Sequence, residues 1–108
     1  MARIRLAFVR GAQRCVRLGF DVVEVHSTHG YLLDSFLSPL VNTRTDHYGG
    51  SLENRMRFPL SIAKAVRAAL PDHVVMGVRI TGTDWTGTGW TEDDAATYAQ
   101  ILKDMGAG

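Results

Sequence analysis

The chain has 108 residues with 12 basic and 11 acidic side chains, so its formal net charge is only +1. Because these charges are scattered along the chain, they form no stripe that could neutralise phosphates, and nucleic acid is excluded as an expected partner. Hydrophobic residues make up 45% of the chain, as in a protein with a packed core, yet no apolar run approaches the roughly 20 residues that cross a bilayer.

The start of the chain lacks the apolar stretch and cleavage site of a secretory signal. The single cysteine, Cys15, cannot form an internal disulfide, which agrees with a reducing compartment. The sequence therefore predicts a cytoplasmic protein that does not bind membranes. Cys15 lies on the apolar face of the first predicted helix, where we expect it to pack in the core.

The first predicted element is a helix over residues 3–18, followed by Gly19 as a natural stop. Its apolar residues recur at helical spacing, and they are Ile4, Phe8, Ala12, Cys15 and Leu18. Residues 20–26 then form a short apolar run rich in β-branched side chains, with no room for a helix before Gly30. This run predicts a buried strand.

Residues 27–50 contain a proline, paired glycines and many polar side chains, and they predict a long loop of the kind that usually carries function. Ser51 can cap a second helix that continues to Pro71. A second apolar strand is predicted at residues 74–80, followed by a loop rich in Gly and Thr. Thr91 and Asp94 resemble a capping box, which opens a third helix ending near Gly106.

This alternation of helices and strands predicts a parallel sheet, either in an open doubly wound fold or in a (β/α)₈ barrel. Two strands cannot close a barrel, which typically needs about 250 residues. The fold class we predict is therefore α/β, a partial (β/α)₈ TIM barrel with about two βα units preceded by a helix. His26 and Arg79 stand at the ends of the two strands, where the active site of such a barrel is built.

His26 and His29 are three residues apart, at a strand end and in the following turn, so the two rings can converge on one point. As metal ligands they would need further donors, which Glu24 could supply only from a distorted strand. As hydrogen-bond donors they could hold one carbonyl oxygen and stabilise negative charge on it. A third interpretation is that both rings satisfy buried polar groups. The spacing alone leaves these alternatives open.

Tyr31 lies two residues beyond His29, and a phenol can donate a proton to carbon, although a tyrosine in a loop is also often structural. Arg79 is a fixed positive charge in an apolar run and needs an anion or an electron-rich acceptor. A flavin pyrimidine edge is one such acceptor. A salt bridge to Asp21, Glu24 or Asp84 is the structural alternative.

Residues 19–58, GFDVVEVHSTHGYLLDSFLSPLVNTRTDHYGGSLENRMRF, closely resemble the Old Yellow Enzyme family of NAD(P)H:flavin oxidoreductases. Residues 75–94, VMGVRITGTDWTGTGWTEDD, resemble the next strand and loop of that family. The resemblance implies an FMN-binding TIM barrel, of which residues 1–108 are one segment, from the third helix through the fifth, and not a complete domain.

The resemblance also implies roles for single residues. His26 and His29 match the pair that binds the carbonyl or other electron-withdrawing group of the substrate, and His26 also lies near the flavin. Tyr31 matches the proton donor, and Arg79 matches the arginine beside the flavin. Ser27 and Thr28 are bulkier and more polar than the small residues expected between the histidines. No metal site is implied.

The implied reaction uses NAD(P)H to reduce FMN, which then reduces the C=C bond of an enone or enal, an activated alkene. The isolated chain is expected to be inactive, because the strands that hold the rest of the cofactor have no counterpart in it. One alternative is a truncated, non-catalytic fragment that self-associates through uncovered strand edges. Another is a related flavin dehydrogenase or demethylase.

Overall fold

The computed structural model describes residues 1–108 as four helices and two strands. In chain order the elements are α1 (Ala2–Arg17), β1 (Val22–Ser27), α2 (Leu32–Leu37), α3 (Leu52–Ala69), β2 (Val75–Ile80) and α4 (Glu92–Asp104). The three long helices and both strands agree with the predicted elements to within about two residues, which is the usual uncertainty of such boundaries.

The two strands form a parallel sheet in which Val22 pairs with Val75 and Ser27 pairs with Ile80. A parallel pair needs a crossover connection, and α3 lies in that connection. The predicted parallel pairing is therefore confirmed, and the chain contains two βα units preceded by a helix.

Only one face of the sheet is buried. That face carries Val25, Ser27 and Met76, which are at most 4% exposed. The opposite face carries Glu24, His26 and Arg79, which are exposed. Residues 20–26 were predicted to form a buried strand, and the structure buries only one of its faces. Side chains alternate between the faces of a strand, and the helices of this chain cover only one of them.

The core lies between the covered face of the sheet and the helices, with α1 and α2 both packed against α3. Ile62 of α3 and Met76 of β2 have no exposed surface, and burying a side chain of this size stabilises the fold by about 1.5–3 kcal/mol. Cys15 is only half-buried in α1, whereas Ala12 one turn earlier is buried. The core instead receives Ala12, with Phe8 and Val16 packed against it, so the prediction that Cys15 packs in the core is wrong.

The predicted loop at residues 27–50 contains the short helix α2, which the sequence analysis missed. Leu33 and Leu37, four residues apart, are each 1% exposed, because α2 packs against α3. The guanidinium of Arg55, in the first turns of α3, is buried and donates hydrogen bonds to the carbonyls of Leu37 and Gly50. Arg55 therefore fixes the end of α2 against the start of α3.

Both predicted helix caps are present. The Ser51 hydroxyl accepts a hydrogen bond from the amide of Asn54 at 3.2 Å. Thr91 and Asp94 form a complete capping box, each side chain accepting from the other residue's amide at 3.2 Å, so the short aspartate side chain closes the box here. None of the helices combines the length and the apolar character that a membrane span requires.

Candidate functional site

The site is built where the two parallel strands end. His26 of β1 is in register with Arg79 of β2, and residues in register on parallel strands project to the same face of the sheet. Adjacent strands lie about 4.8 Å apart, so the two side chains start as neighbours on the open face. The sequence analysis predicted both residues at strand ends, and the register brings them together.

The turn after β1 folds the chain back so that the side chains of His29 and Tyr31 lie beside that of His26. The His26 ring lies 5.2 Å from the His29 ring and 5.4 Å from the Tyr31 ring, measured between centroids. His29 and Gly30 both adopt left-handed backbone conformations, with φ of 61° and 74°. Glycine occupies this region freely and histidine more readily than most residues, so the sequence suits the reversal. The convergence of the three predicted side chains follows from it.

These side chains are open to solvent. Tyr31 is 67% exposed, and His26, His29 and Arg79 are exposed as well. None of the four side chains takes part in a hydrogen bond within the chain. The interpretation that the histidines satisfy buried polar groups therefore does not fit the structure. Their donors are available to a ligand.

Arg79 has no anionic partner within the chain. The ion pairs of the protein join Arg44 to Asp46 and Arg57 to Glu53. Asp84, considered as a partner for Arg79, instead accepts hydrogen bonds from the Ser38 hydroxyl at 2.6 Å and the Trp90 amide at 2.8 Å. An internal salt bridge therefore does not explain why an arginine occupies position 79.

No third metal-ligating side chain joins the two histidines. The structure contains no group of three His, Cys, Asp or Glu side chains placed to hold a metal ion. Glu24 shares the open face with His26 but lies two residues back along the strand. The arrangement at the strand ends is one of hydrogen-bond donors rather than of a metal-ligand set.

Ser27 and Thr28, the two polar residues between the histidines, lie beneath the turn. Ser27 has no exposed surface, and its hydroxyl is 3.2 Å from the Tyr98 hydroxyl of α4. Thr28 is 4% exposed, and its hydroxyl is 2.7 Å from that of Thr81, the residue after β2. Their polarity, unexpected from the sequence, is therefore matched by hydroxyl partners from the neighbouring βα unit.

The sequence analysis missed the residues that support the site from below, namely Asp34, Thr81 and Tyr98. Tyr98 is 1% exposed and packs edge-on against Trp90 with ring centroids 5.9 Å apart. Its burial raises the pKa of the phenol to about 12, since ionisation would place a charge in the core. No local sequence pattern shows that Tyr98 of α4 reaches β1, because the two residues that meet, Ser27 and Tyr98, are 71 positions apart.

The chain matches the sequence model of the NADH:flavin oxidoreductase / NADH oxidase family over residues 2–107. It is 43% identical over 103 residues to the NADPH dehydrogenase of Clostridium acetobutylicum, covering 94% of this chain and 30% of that enzyme. It is 48% identical over 99 residues to the N,N-dimethylglycine/sarcosine dehydrogenase of Chromohalobacter salexigens, covering 92% of this chain and 14% of that one.

Among solved structures, morphinone reductase in complex with tetrahydroNAD is similar to 98% of this chain with a TM-score of 0.84 and 37% sequence identity. The chain covers 30% of that structure. Neighbours of this kind are TIM barrels, so the predicted fold class is confirmed. The chain spans less than a third of the length of each of these three proteins.

The raised pKa of Tyr98 predicts a loss of stability in alkali. Below about pH 10 the phenol is protonated in both folded and unfolded chains. Above it the unfolded chain ionises first, so the free energy of unfolding should fall by roughly 2–3 kcal/mol as the pH rises from about 10 to about 12. Urea titrations across this range should show the fall in the wild type, and Tyr98→Phe should remove it. An equal alkaline loss in both proteins would contradict the burial of Tyr98.

Proposed function

The chain belongs to the NADH:flavin oxidoreductase / NADH oxidase family, which confirms its resemblance to the Old Yellow Enzyme family. From that premise, we propose that it forms the substrate-binding wall of an FMN-dependent, NAD(P)H-consuming barrel that reduces the C=C bond of enones and enals. The observation that carries the proposal is the convergence of His26, His29 and Tyr31, exposed and without internal partners, on the face that carries Arg79.

His26 and His29 would bind the carbonyl oxygen of the substrate. Each imidazole can donate one N–H, and the centroid distance of 5.2 Å allows two donors to approach a single acceptor from different sides. When hydride adds to the β-carbon of an enone, negative charge moves to that oxygen, and fixed donors stabilise the charge as it develops. The second histidine thus favours a substrate with a strong oxygen acceptor.

Tyr31 would complete the reduction by protonating the α-carbon. Its ring lies beside His26, at 5.4 Å, so its hydroxyl belongs to the same cluster as the carbonyl-binding donors. A phenol is a suitable acid for carbon because the enolate formed by hydride addition is a strong base. The large exposure of Tyr31 leaves its hydroxyl accessible to a bound substrate.

Arg79 fits the electron-rich edge of a flavin. It is a cation without a carboxylate partner, and its register with His26 places it on the same open face. When bound, FMN would take hydride from NAD(P)H and deliver it to the β-carbon of the alkene. The role of Arg79 would be to offset the negative charge that a flavin gains at its pyrimidine edge.

A related dehydrogenase or demethylase would share the barrel but use different chemistry, as the similarity to a dimethylglycine/sarcosine dehydrogenase illustrates. An enzyme that only oxidises has no carbanion to protonate. The position of Tyr31 beside the two histidines therefore favours alkene reduction over amine oxidation.

We test this proposal in a chimera in which the chain replaces the matched segment of the Clostridium acetobutylicum NADPH dehydrogenase. The chimera should reduce a simple enone with NADPH, and Tyr31→Phe should slow alkene reduction by about 10²–10⁴-fold because the proton donor is lost. The rate of flavin reduction by NADPH, measured as the loss of the yellow flavin colour, should change less than about threefold.

Tyr48→Phe is the matched control, since it removes a phenol from a loop tyrosine that packs edge-on against Phe58. This variant should reduce the enone at the wild-type rate. If the wild-type chimera and its Tyr31→Phe variant reduce the enone at the same rate, the proposed role of Tyr31 is wrong. Amine oxidation without enone reduction would favour the dehydrogenase alternative.

A second candidate function is non-catalytic self-association, favoured by the uncovered edge of β1. The outer edge of β2 is touched by the end of the chain, where the Gly108 amide donates to the Met76 carbonyl at 2.9 Å. No strand of the chain lies on the outer edge of β1, and Phe20 and Val22 beside it are 56% and 58% exposed. Unpaired apolar edges of this kind recruit other chains.

Gel filtration and a visible absorption spectrum of the purified chain test the self-association candidate. The self-association candidate predicts elution well above the 11.9 kDa monomer and no stoichiometric yellow flavin after addition of FMN. Association is expected because the two strands leave one sheet edge open. Flavin is not retained because the chain supplies few of the contacts that bind the cofactor phosphate. A monomer that retains one flavin per chain would contradict it.

A further inference from the structure

A buried carboxylate lies directly below the turn that carries the site. Asp34, in the first turn of α2, is 7% exposed. Its Oδ2 accepts a hydrogen bond from the Gly30 amide at 2.8 Å, and its Oδ1 accepts from the Thr81 hydroxyl at 3.1 Å. No basic side chain pairs with it. Neutral donors alone satisfy this carboxylate, and they come from both strand-end loops.

The contacts of Thr81 extend this connection. Its hydroxyl is 2.7 Å from that of Thr28, and its carbonyl accepts from the Trp90 indole at 2.8 Å. Because the Thr81 hydroxyl donates to Asp34, the Thr28 hydroxyl must donate to Thr81. Thr81 follows Arg79 by two residues, so the chain of hydrogen bonds joins the end of β2 to the turn after β1.

The turn needs such a support. His29 and Gly30 occupy two consecutive left-handed conformations, which a free segment leaves readily for other backbone states. The Gly30 amide is the only backbone donor in the turn held by a side chain, and the Tyr31 amide makes a longer bond, 3.3 Å, to the Thr28 carbonyl. Without the hydrogen bond from the Gly30 amide to Asp34, the backbone from His29 to Tyr31 would be free to leave this conformation.

We propose that Asp34 is the positioning residue of this site. It fixes the turn so that His29 and Tyr31 face His26, and through Thr81 it couples the turn to the strand end that carries Arg79. It acts through the hydrogen bonds that it accepts and not through its charge. The functional meaning of this role rests on the proposed function, whereas the geometric role does not.

A role through accepted hydrogen bonds and a role through negative charge predict different behaviour for the Asp34→Asn variant. In Asp34→Asn, the Oδ1 atom can accept from the Gly30 amide while the Nδ2 atom donates to the Thr81 hydroxyl, which then donates to Thr28. The chain of hydrogen bonds is kept with its direction reversed between residues 34, 81 and 28. In Asp34→Ala no acceptor remains for the Gly30 amide.

The test is nuclear magnetic resonance on the 108-residue chain, with hydrogen exchange of the Gly30 amide and cross-relaxation between the His26 and Tyr31 rings as readouts. Asp34→Ala should speed Gly30 exchange at least about tenfold and remove the His26–Tyr31 cross-peaks. Asp34→Asn should keep exchange within about threefold and retain the cross-peaks.

Asp84→Ala is the matched control. Asp84 also accepts from a backbone amide and a hydroxyl, those of Trp90 and Ser38, but it supports the loop after β2. This variant should speed exchange of the Trp90 amide and leave the Gly30 amide within about threefold of the wild type. If it loosens Gly30 as much as Asp34→Ala does, the effect is general destabilisation and the proposal is wrong.

Two further outcomes would overturn the proposal: unchanged Gly30 exchange in Asp34→Ala, or an Asp34→Asn variant as loose as the alanine variant. If Asp34→Ala does not fold, Thr81→Val keeps the side-chain shape and removes one hydroxyl. It should speed Gly30 exchange at least about threefold, and no change would overturn the coupling.

These readouts need neither FMN nor an alkene, so they separate this inference from the proposed function. In the chimera, Asp34→Ala should lower kcat for enone reduction at least about tenfold, and Asp34→Asn should restore it to within about threefold of the wild type. A chimera that never reduces enones, combined with the expected exchange pattern, would refute the proposed function and leave the geometric role of Asp34 intact.

Discussion

The parallel register of β1 and β2 is the constraint from which the site geometry follows. Pairing of His26 with Arg79 fixes both side chains on one face, and the alternation of strand side chains places Ser27 on the other. A slip of one residue in β2 would pair His26 with Val78 or Ile80 and turn Arg79 towards the core. The apolar residues on the covered face prevent that slip, because it would expose Met76 and bury a charge.

The turn after β1 depends on a second condition, the satisfaction of every polar group beneath it. Four hydroxyl-bearing or acidic side chains, those of Ser27, Thr28, Asp34 and Thr81, lie close together there, and no buried side-chain polar atom of the protein lacks a hydrogen-bond partner. Hydrogen bonds inside a protein are strong, whereas an unpaired polar group is costly. The network therefore favours one conformation of the turn and leaves the exposed side chains above it free for ligands.

The extent to which the sequence predicted this structure follows from the range of each interaction. Helices α1, α3 and α4 each have a long apolar period, and α3 and α4 also have side-chain N-caps, so neighbouring residues were sufficient to find them. Helix α2 has six residues, too few to show a period, and its stability comes from packing on α3. The contact between Asp34 and Thr81 joins residues 47 positions apart, so no local pattern could reveal it. His26, His29, Tyr31 and Arg79 could be predicted as a candidate site because the strand ends and the family motif indicated the same positions.

The most direct test of this account is a crystal structure of the chimera with FMN and an unreactive enone analogue. We expect the carbonyl oxygen within about 3 Å of one nitrogen of His26 and one of His29. We also expect the Tyr31 hydroxyl near the α-carbon, on the face opposite the flavin, and Arg79 at the pyrimidine edge. A carbonyl bound away from both histidines, or an Arg79 paired with a carboxylate, would contradict the account.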